Sequence, residues 1–235
     1  MSTMEERVSV YTLENMFGPE NDYTNSERGN FWKKQLKGCM VSAVGYALGY
    51  KSYEDTSAAF LRWDEPGTYI DQMETLLSKA TRNPKLVFEV GSGRGELVAA
   101  LTKFKISCVG SDPMPEFFKG LEKTDAIWGV KSVCVKADII KAAKVMKTVD
   151  PDTVIMCETI EHIPKEEFEE AWRDIVEVLT DNSGLFIVTN WVHYHPLMTN
   201  GYEHLWKIDD EVYDWLESYA KETVYRNGSH LVLQF

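Results

Sequence analysis

Val87-Phe88-Glu89-Val90-Gly91-Ser92-Gly93-Arg94-Gly95-Glu96, followed by Leu97-Val98-Ala99-Ala100-Leu101, is the stretch that fixes how this chain is built. A short apolar run ends at glycines spaced two apart, and a helix-forming run begins at once. A strand that stops at such a turn and restarts as a helix leaves unpaired backbone N–H groups at the turn. Glycine tolerates positive φ there and lets another molecule approach the backbone closely. A dinucleotide-binding turn needs G-x-G-x-x-G, with the helix opening onto a pyrophosphate. Here Gly95 arrives one residue early, and Glu96 holds the place where that turn needs glycine. A carboxylate there repels a pyrophosphate but is compatible with a ligand that carries positive charge.

Outward from this turn, apolar runs of strand length alternate with helical patterns from residue 85 onward. The expected strands are Leu86–Val90, Ser107–Ser111, Ser132–Lys136, Thr153–Cys157 and Leu185–Thr189. Pro164–Leu179 reads as a helix with Phe168, Trp172, Ile175 and Leu179 on one face; Pro164 suits its first turn, and Glu166-Glu167 complement its dipole. Such alternation predicts a mostly parallel sheet covered by helices on both faces. At the C-terminus, Glu222–Arg226 and Ser229–Phe235 flank Asn227-Gly228, a hairpin signal. Residues 1 to about 30 are polar and turn-rich. Phe31 to Ala80 is helical in pattern and rich in Tyr and Trp, as expected of a lid or of helices that pack on the sheet.

Bulk composition narrows the function. Lys+Arg 25 against Asp+Glu 37 gives a net charge of −12, which disfavours a phosphate-backbone partner. No run approaches the length of a membrane span. The N-terminus lacks an apolar signal segment. Cys39, Cys108, Cys134 and Cys157 show no C-x-x-C spacing, and three of them lie in strand-like runs. They read as reduced thiols, so a cytoplasmic location is expected.

The turn at Glu89–Gly95 resembles motif I (E-x-G-x-G-x-G) of class I S-adenosylmethionine-dependent methyltransferases. A parallel sheet ending in an antiparallel hairpin is also the mark of that family, so the resemblance covers roughly residues 85 to 235. It implies an α/β fold: a seven-stranded Rossmann-like methyltransferase sheet, mostly parallel, with a C-terminal antiparallel hairpin. Residues 81–235 would form this domain and residues 1–80 a helical lid over the substrate. The cofactor implied is S-adenosyl-L-methionine. Glu89 would orient its methionine part, and Gly91, Gly93 and Gly95 would admit it to the backbone. Asp112 would accept both ribose hydroxyls, while Asp138 and Ile139 would meet the adenine.

Glu158-Thr-Ile-Glu161-His162 forms a second constellation, just after the fourth strand. Two carboxylates and an imidazole make an N/O donor set suited to Mg, Mn, Fe or Zn. This E-x-x-E-H resembles two methyltransferase groups: ubiquinone-pathway O-methyltransferases acting on catechols, and small-RNA 3′-terminal 2′-O-methyltransferases. Glu158 is thereby placed beside both cofactor and metal, and Glu161 and His162 in the chemistry. The downstream segment Tyr202-Glu203-His204 to Trp215 resembles both groups and offers His204 as a fourth ligand. Other readings stand beside this one. The histidine after this strand serves as a base or pocket wall in metal-free relatives, His204 could cap a helix, and His193 or His195 could ligate instead. Val188-Thr-Asn190-Trp also departs from the pattern by lacking one residue. The leading expectation is O-methylation of a small catechol or vicinal-diol-like molecule, ahead of RNA 2′-O-methylation and of a non-catalytic cofactor-binding subunit. The identity of the acceptor and the oligomeric state are not encoded in any motif.

Overall fold

The computed structural model describes residues 42–50, 80–190 and 204–235. Thirteen elements follow Val87: β1 (Val87–Val90), α1 (Glu96–Lys103), β2 (Cys108–Asp112), α2 (Pro115–Trp128), β3 (Val133–Lys136), α3 (Ile139–Val149), β4 (Thr153–Cys157), a 3-10 turn (Ile160–His162), α4 (Lys165–Asp181), β5 (Leu185–Thr189), α5 (Asp210–Glu217), β6 (Glu222–Arg226) and β7 (His230–Gln234). The expected strands are all present, with ends moved by at most a residue or two. The helix expected from Pro164 begins one residue later and runs on to Asp181.

One seven-stranded sheet has the order β3-β2-β1-β4-β5-β7-β6. β1 to β5 pair in parallel, and β7 runs antiparallel to both β5 and β6. The order reverses between β1 and β4. At such a switch point the two strand tips diverge and open a crevice for ligand.

All four residues of β1 and all five of β5 are buried, as strands covered on both faces must be. One face carries Leu97–Leu101 of α1, with Ile155, Ile187 and Val232 beneath it. Residues 43–48 join that layer, so this part of the N-terminal segment packs on the sheet; the remainder of the expected lid lies outside the described residues. The opposite face carries α3, α4 and α5, with Phe168, Trp172, Ile175 and Leu179 of α4 turned inward as their spacing predicts. β3 is an edge, with Val133 and Lys136 exposed. A lysine there discourages pairing with another strand.

The β6–β7 hairpin forms, but not through the left-handed turn that Asn-Gly favours. Neither Asn227 nor Gly228 has positive φ. Instead the Asn227 side-chain oxygen accepts the N–H groups of Ser229 and His230, each at 2.8 Å. An Asx-type side chain thus does the work of the turn backbone. Arg226, at the end of β6, fastens the hairpin to α5 through Asp210, Asp214 and Glu217 at 2.6–2.8 Å.

Candidate active site

The tip of β1 presents Glu89, which is 4% exposed. Its carboxylate accepts a hydrogen bond from the Val98 N–H in the first turn of α1. This contact replaces a side-chain cap, because the residue before the helix is Gly95, in left-handed backbone. The second oxygen, Oε2, is buried with no hydrogen-bond partner among the described residues. Burial, then the neighbouring Glu96 and Asp112, push the Glu89 carboxyl well above its ordinary range. Glu96 itself is half-buried, and desolvation lifts it to about 7. A buried, orphaned carboxylate oxygen fits a ligand that brings an ammonium or a hydrogen-bond donor.

The glycines of the turn are not equivalent. A Cβ at Gly91 would collide with Thr159 down to its Cβ, so packing demands glycine there; at Gly95 it would meet only the end of the Leu121 side chain, and the φ of +75° is what favours glycine. At Gly93 there is open space, and only its φ of +54° favours glycine. The open side of Gly93 is where a ligand can approach the backbone. Asp112 lies across from it, 4% exposed, with Oδ2 accepting from the Gly93 N–H at 3.0 Å and Oδ1 from the Met114 N–H at 2.9 Å. Asp138 already has a structural task. It caps α3 through the Lys141 N–H at 2.9 Å and pairs with the Lys141 ammonium at 2.7 Å, which lowers its carboxyl. Ile139 beside it is buried.

Beyond the switch point, Glu158 follows β4 with φ +49°, an uncommon backbone for a residue with a side chain. Its N–H is held by the Thr189 carbonyl at 2.9 Å. Such local strain is typical of functional turns. The 3-10 turn then delivers Glu161, 3% exposed, and His162. His204 arrives from the segment before α5, and the Leu205 N–H donates to the Glu161 carbonyl at 2.8 Å. Glu161, His162 and His204 each place one donor atom within 4.8 Å of the others. The two imidazoles stand edge to face, 4.9 Å between centroids. Three of the four residues expected to hold a metal are therefore gathered, and Glu158 is not in the group. His204 is not a cap for α5; Asp209 is, through the Val212 N–H. His193, His195, Tyr202 and Glu203 lie outside the described residues.

One carboxylate and two imidazoles form a donor set for a borderline or hard divalent ion. The cysteines do not compete for it. Cys108, Cys134 and Cys157 are free thiols, and burial raises all three, Cys134 to about 11. Among the described residues these thiols therefore offer no ready thiolate, and Cys39 lies outside them.

Residues 88–188, which carry β1 to β5 and both constellations, match the methyltransferase domain family. The chain therefore carries a methyltransferase domain. Solved structures share the fold of this methyltransferase. The PH0226 protein from Pyrococcus horikoshii OT3 superposes with a TM-score of 0.52 at 16% identity, over 71% of this chain and 89% of that one. An O-methyltransferase family protein from Burkholderia thailandensis gives 0.50 at 14% identity, over 89% and 72%. A SAM dependent methyltransferase from Archaeoglobus fulgidus gives 0.43 at 20% identity, over 57% of this chain and 59% of that one, under two thirds of its length. No curated protein sequence matches the chain significantly. Among the described residues no helix is long and apolar enough to cross a membrane.

Three residues near the site have no role assigned from the sequence, although each lies in a segment already singled out. Asn190 is buried at the tip of β5; its amide donates to the Ile208 carbonyl at 3.4 Å and its oxygen accepts the Tyr213 hydroxyl at 3.1 Å. Trp206 reaches back to the 3-10 turn. Their partners are distant in sequence, so the pairing could not be read from those segments.

Proposed function

We propose that this methyltransferase acts on an oxygen of a small hydroxylated molecule with two neighbouring oxygens, such as a catechol or vicinal diol. The acceptor would be held at a divalent ion bound by Glu161, His162 and His204. The observation that carries this reading is the convergence of those three donors, from two remote segments, just past the strand β4 that borders the switch point. The N/O donor set suits Mg, Mn, Fe or Zn.

Each residue then has a task. Glu89 Oε2 receives the ammonium of the cofactor's methionine part, and Gly93 gives room for it. Asp112 takes the ribose hydroxyls, with Asp138 and Ile139 bordering the adenine. Glu161, His162 and His204 fix the acceptor side, and a divalent ion there would lower the pKa of a chelated hydroxyl. The hydroxyl proton passes to Glu161 or His162, the two residues expected in the chemistry. The acceptor oxygen displaces the sulfonium in line: the new C–O bond forms as the S–CH3 bond breaks, and its electron pair returns to sulfur. Alignment is the main contribution of the protein. Residues 1–80 would close over the acceptor. Free thiols at Cys108, Cys134 and Cys157 support a cytoplasmic setting.

The test is methyl transfer to a panel of catechols and vicinal diols, set against short RNA ends, with and without a chelator. Transfer to catechols that stops on chelation and returns with a divalent ion supports the reading. Transfer to RNA ends alone would replace the acceptor, and chelator-resistant activity would remove the ion.

A further inference from the structure

Glu161-His162 and His204 come from segments far apart in sequence, and their separation has to be held before a ligand arrives. Trp206, two residues past His204, spans that gap. Its indole N–H donates to the Ile160 carbonyl at 3.0 Å and to the Ile163 carbonyl at 2.9 Å. Those two carbonyls flank Glu161-His162 on either side. One donor therefore grips the whole turn that carries two of the three donor residues. The ring itself is seated between Phe168, 6.0 Å between centroids, and the Lys165 ammonium, 5.9 Å from its centre.

Packing alone does not require this hydrogen bonding. Trp172 belongs to the same aromatic layer, is fully buried, and its indole nitrogen has no partner among the described residues. A buried N–H without a partner is costly, yet the layer tolerates it at Trp172. At Trp206 the N–H is instead aimed at the two carbonyls that bracket Glu161-His162. The Leu205 N–H bond to the Glu161 carbonyl runs beside it and fixes the same pair of segments.

We propose that Trp206 is a positioning residue: its indole N–H sets the distance from His204 to Glu161-His162 and so preorganises the divalent-ion site. This inference rests on the ion reading given above. Groups that support metal ligands from outside typically change affinity by about 10- to 100-fold when lost.

Co2+ is the probe, followed by its visible absorption bands and by calorimetry, in the full chain. The wild type is expected to bind Co2+, and Trp206→Phe to bind it about tenfold more weakly with altered bands. Affinity for S-adenosylhomocysteine should be unchanged in the same variant, because Glu89, Gly93 and Asp112 are untouched. Wild-type affinity and bands in Trp206→Phe would overturn the proposal while leaving the ion site standing. An equal loss of nucleoside affinity would also overturn it, since that marks general loosening. A wild type that does not bind Co2+ would remove the ion reading and this inference with it. If Trp206→Phe fails to fold, benzothienylalanine at position 206, with sulfur in place of N–H, decides by the same two measurements.

Discussion

On the β1–β3 side of the crevice, each carboxylate proposed to face the cofactor is already engaged by its own turn. Glu89 accepts the Val98 N–H, Asp112 those of Gly93 and Met114, and Asp138 that of Lys141. On the β4–β5 side, Glu161, His162 and His204 are brought together by groups that belong to neither motif, chiefly Trp206 and the Leu205 N–H. The first half is local and serves fold and ligand at once. The second is assembled from afar and, in the reading proposed above, serves the chemistry of the acceptor. Losses in the first half should therefore show in both stability and cofactor affinity, and losses in the second mainly in turnover.

The largest effect is expected in the second half. His204→Ala or Glu161→Ala should lower turnover by about 100-fold or more while the cofactor dissociation constant stays put. A steady-state assay paired with calorimetry reads both, and full activity in His204→Ala would erase the contrast between the halves. Next is Asp112→Ala, which removes a charged acceptor from two backbone N–H groups and from the ribose. Each charge-assisted bond contributes about 1.5–3 kcal/mol, so cofactor affinity should fall at least tenfold and the melting temperature with it. A drop in one without the other would break the idea of a shared task.

The pH dependence sharpens the first half. Burial and its acidic neighbours raise the Glu89 carboxyl, so wherever it is protonated a cationic ligand must expel that proton. Cofactor affinity should therefore rise with pH, by up to about tenfold per unit while Glu89 remains protonated in the free enzyme. Glu89→Gln should flatten that profile, and an unchanged slope would show that another group is responsible. Glu96 acts on stability, and in the opposite sense. Its carboxyl is lifted from 4.5 to about 7 in the folded chain, so its contribution is full below pH 4.5 and is lost as pH rises through about 7. Because the side chain is only half-buried, Glu96→Gln should gain no more than about 1 kcal/mol at pH 8, read by denaturant unfolding.

The smallest effect belongs to a residue outside both halves. Arg226→Ala severs three surface ion pairs between β6 and α5, worth about 1 kcal/mol together. Melting should shift by a few degrees with turnover intact. A large loss of turnover would mean that α5, through Tyr213 and Asn190, takes part in the acceptor half as well.

Much of the fold was legible because each signal is local. Strand-length apolar runs, the glycine turn and the α4 face with Phe168 and Trp172 all depend on neighbours within a few residues. The hairpin was legible for a partly different reason from the expected one. Asn227 closes it with its side chain, and Gly228 never uses its left-handed freedom. Asp138 shows the limit of position alone: its place after β3 is as expected, yet its carboxylate is bound to Lys141 on both oxygens. Glu158 shows it again, since its motif spacing is right but the three-donor group forms without it.

From the sequence alone came the order of strands and helices, the class of the sheet and the carboxylates at its tips. Periodicity and turn chemistry act over a few residues and survive in a string of letters. Resemblance offers His204 as a ligand, but only the tertiary structure shows its donor atom within 4.8 Å of those of Glu161 and His162 and reveals Trp206 as the tie between them. Those contacts join segments with no spacing rule to link them, and they exist only after packing of the sheet, α4 and α5 has set the distances.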